Sequence, residues 1–158
     1  METLVLVFLI LLVITSFSFF IYKKLSVTYY VLNFENKKIK FVINNFTKIQ
    51  LSQEEIDREI IEGIRVFEAC NISKSAEYLD GTEIEFVDFP ISYLGRKLAG
   101  LTSFGASCKI TVAVGGRIAN LSSSAFIHEL GHVILYKDTN STNQDMHHTF
   151  FRDHKLSI

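Results

Sequence analysis

His128-Glu129-Leu130-Gly131-His132 places two imidazoles and a carboxylate at a spacing that suits metal chemistry. On an α-helix, residues four apart lie on one face with Cβ atoms about 6 Å apart. Two imidazoles so placed reach a single Zn²⁺ at about 2.0–2.1 Å. Glu129 is rotated by about 100° from His128, lies beside such a metal, and can take a proton from a zinc-bound water. Gly131 removes a side chain next to the pair. A glycine inside a helix costs roughly 1 kcal/mol against alanine, so its presence predicts that another stretch of backbone packs tightly there. The competing reading is two surface histidines with an incidental glutamate between them. Two histidines buried in an apolar core without partners would be costly.

A catalytic zinc site needs three protein ligands and an open water position. The remaining candidates follow the motif: Asp138, Asp145, His147, His148 and His154. No glutamate occurs after Glu129. The polar run Thr139–Asp145 is long enough to bring the Asp145-Met146-His147-His148 cluster back over the motif helix. His148 is preferred as third ligand, with His147 the alternative and then Asp138 or Asp145. The alternative for the histidine pair is a solvated tail or an accessory metal site. A second donor to a developing oxyanion could come from whichever of His147 and His148 is not a ligand, or from His154, Arg152, Tyr93 or Tyr136.

The motif needs a framework to hold it. Ser122 reads as the N-cap of a helix running to about Lys137, with Leu121 and Phe126 as a hydrophobic staple. Phe126, Leu130 and Ile134 form its core-facing row. Upstream, Ser52 and Glu55 make an S-x-x-E capping box for a helix reaching about Cys70. Its apolar stripe is Ile56, Ile60, Ile64 and Phe67. Its charges, among them Glu55, Asp57, Arg58, Glu59, Glu62 and Glu68, read as a solvated face. Val27–Phe46, interrupted at residues 35–38, reads as a hairpin. Glu83–Phe89 has strand character, and residues 92–99 read as short helix or irregular chain. Residues 100–107 and 109–114 read as one strand or two, closed by Gly115-Gly116.

The stretch from Ile110 through the turn to Phe126-Ile127-His128-Glu129-Leu130-Gly131-His132-Val133-Ile134-Leu135-Tyr136 resembles the zincin metallopeptidases. It is similar in particular to small bacterial and phage metallopeptidases of the ImmA/IrrE-like group, whose core is a strand followed by an H-E-L-G-H helix. The resemblance implies a zinc ion and peptide-bond hydrolysis, with His128 and His132 as ligands and Glu129 as general base. It departs from the metzincin pattern, whose later glycine and histidine fall here on Leu135 and Asp138. The gluzincin scheme, with a later glutamate, is excluded.

Composition bounds the rest. The 158 residues suggest one domain, and 16 basic against 17 acidic residues give no basic excess for nucleic acid. Residues 3–22 carry no charge, and about 20 apolar residues match the roughly 30 Å core of a bilayer. The expectation is therefore a single-pass membrane anchor over residues 1–25, with a cleaved signal peptide as the alternative. Lys23 and Lys24 lean the domain toward the cytoplasm. Cys70 and Cys108 decide nothing about compartment. The expected fold is α+β: a transmembrane helix, then over residues 26–158 a zincin-like domain with a mainly antiparallel sheet and two main helices. The expected activity is hydrolysis of a peptide or protein substrate. A non-catalytic zinc-binding or assembly protein is the alternative, and the sequence leaves the oligomeric state open.

Overall fold

The computed structural model describes Val13, residues 27–115 and residues 123–156. The chain first forms a hairpin from β1 (Val27–Phe34) and β2 (Lys37–Asn45), paired antiparallel. Then come α1 (Gln53–Ala69) and a short α2 (Ser75–Tyr78). Strand β3 (Thr82–Asp88) follows, then a small separate hairpin of β4 (Ile91–Tyr93) and β5 (Arg96–Leu98). Strands β6 (Gly100–Ser103) and β7 (Lys109–Val114) lead to α3 (Ser123–Thr139) and α4 (Gln144–Asp153). The main sheet has five strands in the order β1-β2-β3-β7-β6.

Two features of the expected fold are corrected. First, the sheet is mixed, because β2–β3 and β3–β7 pair in parallel while β1–β2 and β6–β7 pair antiparallel. The cause is the helical segment between β2 and β3: a helix crossing the sheet returns the chain in its original direction. Second, no helix among the described residues is long and apolar enough to cross a membrane, so the fold and location built on a single-pass anchor are withdrawn. Apart from Val13, residues 3–22 lie outside the described residues, as do Leu121 and Ser122. The two main helices are joined by two shorter ones.

Helix α1 forms where the capping box places it. Ser52 Oγ accepts from the Glu55 backbone N–H at 3.2 Å, and Glu55 Oε2 accepts from the Ser52 N–H at 2.9 Å. Its stripe of Ile56, Ile60, Ile64 and Phe67 is buried. Glu59 departs from the expected solvated face: it is buried and paired with Arg58 at 3.4 Å. Helix α3 is apolar almost all round, with Phe126, Ile127, Leu130, Val133, Ile134 and Leu135 all buried. A helix of that kind belongs inside a protein. It packs on the sheet face that carries Ile84, Phe86, Ile110 and Val112, where Phe86 meets Phe126 edge-on at 5.8 Å. Glu83, Glu85 and Lys109 have the opposite parity, and Lys109 and Glu85 pair there at 2.6 Å.

Residues 92–99 are hairpin rather than helix. Leu94 and Gly95 both have positive φ, 48° and 75°, as a two-residue turn of the tightest hairpin type requires. Leucine there hides the usual Asn-Gly signal. The hairpin stands beside β6, and together they form one wall of a cleft over α3.

Candidate metal centre

Three side chains meet above the first half of α3. Ring nitrogens of His128, His132 and His148 lie within 4.8 Å of one another and form a cluster that could hold a metal ion. His128 Nε2 and His132 Nε2 are 3.0 Å apart. Ligands at about 2.0–2.1 Å around a tetrahedral ion stand roughly 3.3 Å apart, so the pair already lies close to ligand spacing. Helix periodicity sets His128 and His132 on one face of α3, while α4 delivers His148 from across the cleft. Helix α4 starts where Asn143 caps it, its Oδ1 accepting from the Asp145 and Met146 N–H groups at 3.0 and 3.3 Å. The histidine pair thus lies on an ordered helix rather than in the solvated tail that was the alternative.

Phe151 holds the cluster from below. Its ring centroid is 4.7 Å from that of His128 and 5.2 Å from that of His132. A Cβ on Gly131 would come within 2.3 Å of Phe67 Cζ and 3.0 Å of Phe151 Cε1. The tight approach expected at this glycine is real, but aromatic rings fill the space rather than backbone. Gly131 lets α1 and α4 close on the helix that carries the histidines.

Glu129 is buried, with 7% of its surface exposed, beside the histidines. Thr102 Oγ on β6 donates to Glu129 Oε2 at 2.6 Å. Burial pushes the Glu129 carboxyl up to about 7, with the Thr102 hydrogen bond opposing the shift. Burial depresses His132 to about 3, helped by His128, His147 and His148 around it. Both groups are therefore favoured in their neutral forms in the metal-free protein. A Cβ on Gly100 would lie 2.5 Å from Glu129 Cγ, so the edge strand can approach the carboxylate only as glycine at that position.

The remaining expected residues separate clearly. His147, the alternative ligand, faces away from the cleft: it is completely buried, with Nδ1 3.0 Å from His132 Nδ1. Burial holds it below the usual histidine range, and the Ser141 backbone partly offsets this. Asp138 accepts from the Tyr78 hydroxyl at 3.2 Å, and Asp145 sits exposed in the first turn of α4; neither joins the cluster. His154 stacks on Phe150 at 4.0 Å, Arg152 donates to Thr149, and Tyr136 packs on Phe104 at 4.7 Å. Of the expected oxyanion donors outside the cluster, Tyr93 is the one that lines the cleft. That cleft holds about 630 Å³ and is also lined by Leu98, Leu101, Thr102 and Gln144. Thr102, Gly100 and Phe151 were not legible as site residues, since they reach the motif only through tertiary packing.

Compared with protein-family models, with curated proteins and with solved structures, the chain matches none.

Proposed function

We propose that the chain is a zinc-dependent peptidase. The observation that carries this reading is the meeting, in one cleft, of three imidazoles with a buried carboxylate. The donor set fits the ion: three neutral imidazoles are common zinc ligands and leave a fourth position open. Zinc bound there would supply Lewis acidity, polarising a carbonyl and acidifying a water molecule.

The chain's own groups do the rest. Glu129 is buried at the floor of the cleft, and burial pushes its carboxyl up to about 7, close to the working pH at which a general base is most effective. Thr102 pins Oε2 and so orients the carboxylate to accept a proton from water and return it to the leaving amine. Strand β6 is one of the two outer strands of the sheet and runs past Glu129. An extended peptide could pair along its open edge by strand addition. Tyr93, Leu98 and Leu101 would meet its side chains. The similarity to zincins through His128-Glu129-Leu130-Gly131-His132 supports the same reading. A closed, purely structural metal site would need a fourth ligand, and His147 is turned away from the cluster.

Glu129→Gln tests the proposal. The variant should bind zinc as the parent chain does and lose hydrolysis of a peptide library by about 10³-fold or more, consistent with removal of a general base. Equal hydrolysis by both proteins would remove Glu129 from its role.

A further inference from the structure

His147 and His148 are adjacent, yet they do different things. Neighbours on a helix point about 100° apart. Helix α4 therefore turns His148 into the cleft while burying His147 against Phe104, whose ring lies edge-on at 6.1 Å.

The position of His147 constrains the protons around it. Its Nδ1 is 3.0 Å from His132 Nδ1. Two ring nitrogens at that distance with no ion between them share one proton, because lone pair against lone pair and N–H against N–H both repel. The opposite nitrogen of His132, Nε2, lies 3.0 Å from His128 Nε2 on the cluster side. If Nε2 presents a lone pair to a metal, the one proton of neutral His132 sits on Nδ1. His147 Nδ1 must then accept it. The proton of His147 falls on its Nε2, a buried nitrogen on the far side of the ring from His132, and the Ser141 backbone lies close enough to favour a protonated ring nitrogen there.

We infer that His147 is a positioning residue for the metal centre: a neutral imidazole acceptor that holds His132 in the Nδ1–H tautomer and fixes its ring so that Nε2 faces the ion. The inference rests on reading His128, His132 and His148 as a metal site. Ligating histidines ordinarily donate their second N–H to a carboxylate, a backbone carbonyl or water. An imidazole performs that task here without placing an unpaired negative charge in an apolar pocket.

Zinc affinity of the full chain, measured by competition with a chromophoric chelator, tests this with H147F, H147N and H148A. Phenylalanine fills the buried space but accepts nothing; asparagine places Oδ1 near the position of Nδ1. H147F should weaken zinc binding by about 10- to 100-fold, the range for lost outer-shell partners. H147N should stay within about threefold of the parent chain. Parent and H147F chains binding zinc equally would overturn the role of His147 and leave the metal site standing. A parent chain that binds no zinc would overturn the metal site itself, and the role with it; loss of binding in H148A shows the assay reports this site. Imidazole ¹⁵N–¹H correlations of the zinc-loaded parent chain give a readout independent of any variant's folding. His147 should carry its proton on Nε2, and a proton on its Nδ1 would overturn the assignment.

Discussion

Thr102 Oγ reaches across from the edge strand to Glu129 Oε2 at 2.6 Å, and the same hydroxyl lies 3.2 Å from the Glu129 carbonyl oxygen. One side chain thus ties β6 to the motif helix and sets the orientation of the proposed base. Its donated hydrogen bond favours the charged carboxylate and so lowers the Glu129 pKa against the effect of burial. Thr102→Val keeps the shape and removes the donor. The acidic limb of the pH–rate profile should then move to higher pH, and kcat should fall by about 10-fold or more, as expected for loss of a hydrogen bond to a charged group worth roughly 1.5–3 kcal/mol. Thr102→Ser should retain both the profile and most of the rate. Steady-state kinetics between pH 5 and 9 decide it, and an unmoved limb in Thr102→Val would detach Thr102 from the base.

How much of this was readable before folding depends on the range of each interaction. The capping box at Ser52 and Glu55, the stripe from Ile56 to Phe67, and the motif pair His128 and His132 are local, so spacing alone disclosed them. Sheet direction is not local: β2 and β3 are both recognisable strands, but only the path of α1 makes them parallel. His148 could be narrowed to a short cluster, yet separating it from His147 required knowing that residues 144–153 are helical and which face α4 buries. Gly100 and Thr102 leave no trace in sequence spacing, because their meaning comes from contact with Glu129 across 27 positions or more.

Stability of the metal-free protein should depend on pH in opposing ways at Glu129 and His132. Glu129 has a folded pKa of about 7 against 4.5 ordinarily. Between those values the folded state binds more protons than the unfolded one, so its contribution falls as pH rises through the window. His132 has a folded pKa of about 3 against 6.5. There the unfolded state binds more protons, and stability is lost as pH falls from 6.5. The two slopes oppose each other between 4.5 and 6.5, leaving a plateau flanked by an acid-side decline from His132 and a smaller neutral-side decline from Glu129. Urea midpoints across pH 3–8 should show this shape, and Glu129→Gln should abolish the neutral-side decline. A decline unchanged in that variant would assign it to other groups.

Metal removal should separate ligands from bystanders. Bound zinc stabilises the fold by mass action, by about 2.7 kcal/mol when free metal is 100 times its Kd. A chelator should therefore lower the thermal midpoint of the parent chain. His148→Ala should show little or no such shift, whereas Asp138→Asn and Asp145→Asn should behave as the parent chain does. Scanning calorimetry with and without chelator measures this. A chelator shift abolished by Asp138→Asn would move the third ligand to the end of α3.

Gly131 carries the packing on which the site stands. Replacing it with alanine improves helix propensity by roughly 1 kcal/mol. Yet the new methyl would lie 2.3 Å from Phe67 Cζ and 3.0 Å from Phe151 Cε1. Phe67 is fully buried, stacked on Phe150 at 6.1 Å and edge-on to Phe151 at the same distance, so its ring has little room to turn aside. Overpacking of this kind typically costs 1–3 kcal/mol, and so severe an overlap belongs at or beyond the upper end. Gly131→Ala should thus be destabilised by roughly 2 kcal/mol or more net in urea unfolding. It should also bind zinc more weakly, because relief of the overlap levers Phe151, and with it the helix bearing His148, away from His128 and His132. Shrinking the obstacle distinguishes this from a loss of backbone freedom: Phe67→Leu combined with Gly131→Ala should be less destabilised than the sum of the two single changes. Simple additivity would place the cost of alanine in the helix backbone instead of against the aromatic rings.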